Sequence, residues 1–199
     1  MLDALASSSA AASPRETDSP SGDNVLPMAL LRDTDVIVDV GSGVGKFVLA
    51  VALLSPSARA VGLEIVRERH LRATQALSDA KASGLLLDHE ASRVRFALGD
   101  ATQTGILPAD TTLAFLSNLC FSSDLNRRLL QALLRLPKLR CIASLRKLEI
   151  EPVGVAGAHA PPDYSPDEPP SCGRIELVRS LRVSMSWDDR TRLYVYCCR

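Results

Sequence analysis

The 199-residue chain lacks the patterns that mark several common function classes. Its five cysteines, Cys120, Cys141, Cys172, Cys197 and Cys198, form no CxxC pair and no Cys/His cluster at zinc spacing, so a structural zinc site is excluded. Cys197 and Cys198 are neighbours, which suits neither a zinc knuckle nor an easy disulfide, and all five are expected to be reduced thiols in an intracellular protein. No apolar run reaches the roughly 18 residues that a membrane span needs. No basic segment followed by an apolar stretch opens the chain, so no secretory signal is read there. Excess charge of one sign is also missing. Lys+Arg and Asp+Glu each number 23, which leaves a formal charge of zero and no whole-molecule field to draw the chain onto nucleic acid. There is no internal repeat.

What is present is 46% apolar residues, enough for one domain with a core. Residues 1–24 are small, polar and Pro-bearing and are expected to be a disordered tail, with the folded domain over 25–199. A Pro- and Gly-rich stretch over 151–173 reads as a long surface loop. Short apolar strands are predicted at Val36–Val40, Ala60–Leu63, Val94–Leu98, Leu113–Leu116 and Cys141–Leu145. Helices are predicted at Lys46–Leu54, Arg67–Ser83 and Ser123–Leu136. The last of these opens on a serine cap, lines up Leu125, Leu129, Leu130, Leu133 and Leu134 on one face, and is closed by Pro137. Leu177–Met185 and Arg192–Cys198 read as a terminal hairpin.

Alternating strands and helices imply an α/β fold: a doubly wound, mostly parallel sheet with an antiparallel hairpin at its edge. Ligands bind such sheets beyond the carboxyl ends of the strands, so residues just after each strand are the candidates. Arg127, Arg128, Arg135, Lys138, Arg140, Arg146 and Lys147 form a run with no acid among them. It is either a solvated helix face or a patch for an acidic partner.

The first strand runs into Asp39-x-Gly41-Ser42-Gly43-x-Gly45. A phosphate-binding P-loop would need a glycine at Val40 and Ser or Thr at Phe47. A dinucleotide fingerprint would need a small residue where Lys46 stands. What remains looks like the first motif of class I S-adenosylmethionine methyltransferases. Glycines there let a ligand approach the backbone closely. Glu64 follows the second strand, about 20 residues beyond the glycines, where a carboxylate can accept ribose hydroxyls. Asp100 and Ala101 follow the third, where an acid would face an adenine amino group. Each of these residues also has a plain structural reading: a tight turn, or an acid at a helix N-terminus.

The fourth strand leads into Ser117-Asn118-x-Cys120-Phe121, and the hairpin carries Met185-Ser186-Trp187 and Tyr194. Together with "DVGSGVGK" and "GLEI", these segments resemble the disruptor-of-telomeric-silencing (Dot-type) histone-lysine methyltransferases over about residues 36–148 and 177–196. The resemblance implies a seven-strand, Rossmann-like class I fold and S-adenosylmethionine as cofactor. Asp39, Gly41, Ser42, Gly43, Gly45, Glu64, Asp100 and Ala101 would then hold the cofactor. Ser117 and Asn118 would lie beside the transferred methyl, and Phe121, Trp187 and Tyr194 would wall the lysine channel. The sequence departs from the family where Ser117 replaces one of two paired asparagines and where Ala101 replaces an aromatic residue. Val25–Asp35 is also shorter than the family's segment before the first strand. The implied activity is methylation of a protein lysine, with histone or nucleosome as the substrate and chromatin as the setting, by a monomer in nucleus or cytoplasm without membrane attachment. Two alternatives stay open: a same-fold methyltransferase for another protein or a small molecule, and an inactive cofactor-binding or interaction module.

Overall fold

Val36–Val40 (β1) is buried at all five positions because both of its neighbours in the sheet are strands and both of its faces are covered. It belongs to a computed structural model that describes residues 31–150, 172, 174–183 and 191–199. The expectations for 1–24, for all but Cys172 of 151–173, and for Trp187 fall outside the described residues.

After β1 the chain runs through Lys46–Leu54 (α1), Arg59–Glu64 (β2), Arg67–Ala82 (α2), Asp88–Ala91 (α3) and Val94–Leu98 (β3). It continues through Leu113–Leu116 (β4), Ser123–Leu134 (α4), Cys141–Ser144 (β5), Ile175–Arg182 (β6) and Arg192–Cys198 (β7). The sheet order is β3-β2-β1-β4-β5-β7-β6. The first five strands are parallel, and β7 lies antiparallel between β5 and β6. The order reverses between β1 and β4, so the glycine turn after β1 sits at the switch point where open α/β sheets hold ligands.

Alternation along the strands divides the core between the two faces. Val38 and Val40 pack with Leu116, Ile142 and the α4 leucines Leu129, Leu130 and Leu133. Ile37 and Ala60 face the other way, against Val48, Val51 and Ala52 of α1 and Ala80 of α2. Phe115, Leu193 and Val195 form a third cluster, to which Phe47 connects by stacking on Phe115 with ring centroids 4.3 Å apart. The serine cap holds: the Ser122 hydroxyl accepts from the Leu125 N–H at 3.2 Å.

Two expectations need correction. The cysteines are not all free thiols, since Cys141 is bonded to Cys197 and Cys172 to Cys198, leaving Cys120 free and exposed. Neighbours on a strand point to opposite faces, so the adjacent pair meets two different partners. Cys197 stands directly across from Cys141, while Cys198 packs with Cys172 on the α4 side. The basic run does not form one patch either. Arg140 precedes β5 and bonds Asp35, Arg146 follows β5, and Arg127 pairs with Asp124 on α4. A strand rises about 3.3 Å per residue, so Arg140 and Arg146 lie at opposite ends of the sheet.

Candidate functional site

The turn after β1 is built from three residues that only glycine occupies without strain: Gly41, Gly43 and Gly45 have φ of 78°, 57° and 83°. Gly41 and Ser42 donate to the Leu63 carbonyl at 2.8 and 3.0 Å, which ties the turn to the end of β2. A Cβ on Gly41 would lie 2.9 Å from Phe121 Cζ, so the phenylalanine ring rests on the turn. A Cβ on Gly43 would meet nothing within 4 Å. The backbone there faces open space. Gly45 caps α1 and lets the helix approach Phe96, while Lys46 is exposed. The small residue for close helix packing is therefore one position earlier than a dinucleotide fingerprint would place it.

Glu64 is only 3% exposed and braces the same turn. Its Oε2 accepts from the Gly43 N–H and its Oε1 from the Val66 N–H, both at 2.8 Å. Asp39, 2% exposed, sits close by with its Oδ1 buried and unpartnered among the described residues. Burial, reinforced by the Glu64 charge, pushes its carboxyl up to about 8. The Ser42 hydroxyl is likewise buried without a partner. Native structures rarely leave such atoms unsatisfied. The Ser42 hydroxyl lies against Gly62 of β2, whereas the Asp39 oxygen near an open glycine fits a ligand that brings hydrogen-bond donors, an ammonium foremost.

After β3, Asp100 is half-buried and its Oδ1 accepts from the Thr102 N–H and hydroxyl at 2.9 and 2.8 Å. Ala101 is 6% exposed and belongs to the core cluster on the α4 side of the sheet.

After β4, Ser117 is half-buried, and Asn118 is fully buried at 0% exposure. The Asn118 side chain donates to Asn126 Oδ1 at 2.6 Å and accepts from the Ser144 hydroxyl and the Arg146 N–H, both at 3.0 Å. Its amide is therefore committed to the protein and does not open to a substrate. Tyr194 is half-buried on β7, opposite Ser144, and packs on the α4-side core at the carboxyl end of β5.

The structure thus gathers Asp39, Ser42, Gly43, Glu64, Phe121 and Asn118 at one end of the sheet. Sequence reasoning did not single out Asn126 and Ser144, and it took Arg146 only as part of a charge run. Asn126 carried a usable signal: it is a polar residue within the leucine-rich face of α4, buried with Leu129 and Leu130. Among the described residues no group of three His, Cys, Asp or Glu is placed to hold a metal, and no helix is long and apolar enough to cross a membrane.

A family model described as histone methylation protein DOT1 matches residues 16–164. No curated protein sequence matches the chain. Among solved structures, an RNA methyltransferase from Salinibacter ruber in complex with S-adenosyl-L-homocysteine is similar, with TM-score 0.56 and 22% identity over 87% of this chain and 86% of that one. The mitomycin 7-O-methyltransferase MmcR is similar with TM-score 0.54 and 18% identity, over 83% of this chain and 49% of that one. At these identities the structural likeness shows the fold: the seven-strand mixed sheet of class I methyltransferases.

Proposed function

We propose that this chain, which belongs to the DOT1 histone methylation family, holds S-adenosylmethionine over its glycine turn and methylates a protein lysine, with histone as the leading acceptor. One observation carries the cofactor reading: the buried, unpartnered Asp39 oxygen beside a glycine that faces open space. When bound, the cofactor supplies a methyl group on a sulfonium, open to displacement by an amine. Asp39 would receive its ammonium end, over the turn that holds Ser42. Each Glu64 oxygen already accepts one N–H and retains a second lone pair for a ribose hydroxyl. Asp100 would face the adenine amino group.

Methyl transfer of this kind is an in-line displacement, so the chain's work is mainly alignment. The lysine must arrive neutral. From an ordinary value of about 10.4, neutrality near pH 7 costs about 4–5 kcal/mol. An apolar channel lowers that cost by disfavouring the ammonium. Phe121 and Tyr194 are the described candidates for its wall, with Trp187 from the hairpin as the third. Asn118 serves as a positioning residue beneath the site, and Ser117 is the polar group left near the acceptor. A histone acceptor would place the chain in the nucleus.

Calorimetric titration with S-adenosylhomocysteine tests the cofactor site, with Glu64→Ala as the control. Micromolar binding that the variant loses supports the reading. A folded wild type that binds nothing overturns it and leaves an interaction module. Transfer of labelled methyl to nucleosomes but not to free histones or small amines would identify the acceptor class.

A further inference from the structure

We infer that Asn126 and Arg146 are positioning residues that clamp Phe121 onto the glycine turn and so set the floor of the methyl-transfer site; this rests on the cofactor reading above. The argument starts at the entry to α4. Ser122 is the N-cap, so Phe121 is the residue before the cap and Asn126 is the fourth helical position. Those two places face each other, and in many helices both are apolar and staple together. Here the fourth position is an amide. Asn126 Nδ2 donates to the Ser122 carbonyl at 3.0 Å and reaches the Phe121 carbonyl at 3.4 Å. The staple is made through the backbone, and the Phe121 ring is released from the helix to lie on Gly41.

A second donor closes the clamp from the other side. Arg146 Nη1, beyond the end of β5, donates to the same Phe121 carbonyl at 2.8 Å. A carbonyl oxygen has two lone pairs, and the two donors come from different elements. The Phe121 N–H is held as well, donating to the Asn118 carbonyl at 3.1 Å. Asn118 joins the two donors: its side-chain Nδ2 donates to Asn126 Oδ1, and its side-chain Oδ1 accepts from the Arg146 N–H and the Ser144 hydroxyl. Three segments, after β4, on α4 and after β5, thereby fix one residue at both its N–H and its C=O. A loop carrying an exposed leucine and an exposed cysteine, Leu119 and Cys120, needs such anchoring to present one ring in one place.

The test uses the full chain with 2-fluorophenylalanine at position 121, which leaves the ring edge on Gly41 unsubstituted, comparing wild type, Arg146→Met and Asn126→Ala. Fluorine NMR of the ligand-free protein reads the ring directly. The clamp predicts one sharp resonance in the wild type, and a shifted, broadened or doubled one in both variants. Arg146 is exposed and its replacement leaves the core intact, so that variant decides the matter even if Asn126→Ala does not fold. S-adenosylhomocysteine affinity should fall about three- to tenfold in Arg146→Met. An unchanged resonance with unchanged affinity in Arg146→Met overturns the clamp. A wild type that shows the sharp resonance, altered in the variant, but binds no S-adenosylhomocysteine keeps the clamp on Phe121 and overturns the cofactor reading instead.

Discussion

The carboxyl groups of Asp39 and Glu64 share one buried corner at the ends of adjacent parallel strands, and the Glu64 charge adds to burial in keeping Asp39 protonated, pushed up to about 8. Two consequences follow for Asp39. In the free chain below pH 8 it carries a proton; facing a ligand ammonium it is ionised. Binding of S-adenosylhomocysteine at pH 7 should therefore release up to one proton and tighten as pH rises from 6 to 8. Calorimetry in buffers of different ionisation enthalpy measures both.

The same group costs stability. A carboxyl whose folded value lies above its unfolded one holds its stabilising proton at low pH, and that contribution is lost as pH rises from about 4 to about 8. Asp39→Asn should unfold at a higher temperature than wild type. Its advantage should be smallest at pH 5 and grow to about 5 kcal/mol at pH 8, while ligand binding is lost. Thermal melts across that range would refute the assignment if the advantage shrank with rising pH.

Gly41 and Gly43 separate backbone strain from steric contact. Both have positive φ, so alanine at either should cost about 1–2 kcal/mol. Gly41→Ala adds a clash with Phe121, whereas Gly43→Ala meets no protein atom. Gly41→Ala should therefore be the less stable of the two in urea, and Phe121→Ala should recover part of its loss. Gly43→Ala should keep most of its stability and, on the proposed cofactor reading, lose S-adenosylhomocysteine binding, because its methyl enters the open space over the turn.

At the opposite end of the sheet, Arg140 Nη2 lies 2.7 Å from both oxygens of Asp35, which is 1% exposed. Burial alone would push the Asp35 carboxyl up. The Arg140, Arg32 N–H and Thr112 hydrogen bonds outweigh it and hold the carboxyl below its usual range. The stabilisation is present above about pH 4 and lost as pH falls through the lowered folded value. Arg140→Met should cost about 2–4 kcal/mol at pH 7, since it leaves a buried charge unpaired. That penalty should shrink on acidification towards pH 3, as followed by chemical denaturation.

The two disulfides span 56 and 26 residues of sequence. By chain entropy each should contribute about 3–4 kcal/mol. Mass spectrometry of the unreduced, alkylated protein should find Cys120 alone modified, and reduction should lower the melting temperature. Modification of all five thiols before reduction would show that the bonds are absent.

Much of this fold was legible from period and punctuation. The bounds of β1, β3, β4, α1 and β7 match the apolar runs between Gly, Pro and polar breaks. The short helix α3 was missed because its four residues are too few to show a helical period. The end strand β6 begins two residues earlier and stops sooner than expected, since a bulge between Leu177 and Arg179 breaks its alternation. The meeting of Asp39 and Glu64 at one end of the sheet was readable because topology sends parallel strand ends to one edge. The commitment of Asn118 to Ser144, Arg146 and Asn126 was not, because those partners meet only through long-range packing. The disulfides were misread for a related reason: adjacency in sequence hides the opposite facing of Cys197 and Cys198.

The placement of β7 between β5 and β6 has a consequence for synthesis. Among the described residues β6 pairs with β7 alone, and it leaves the ribosome first. Until β7 emerges, β6 lacks its native partner, and the edge of β5 stays open to any strand in reach, β6 included. The sheet is thus most exposed to mispairing between the appearance of β6 and that of β7, and a chaperone that shields the β5 edge would act in that interval.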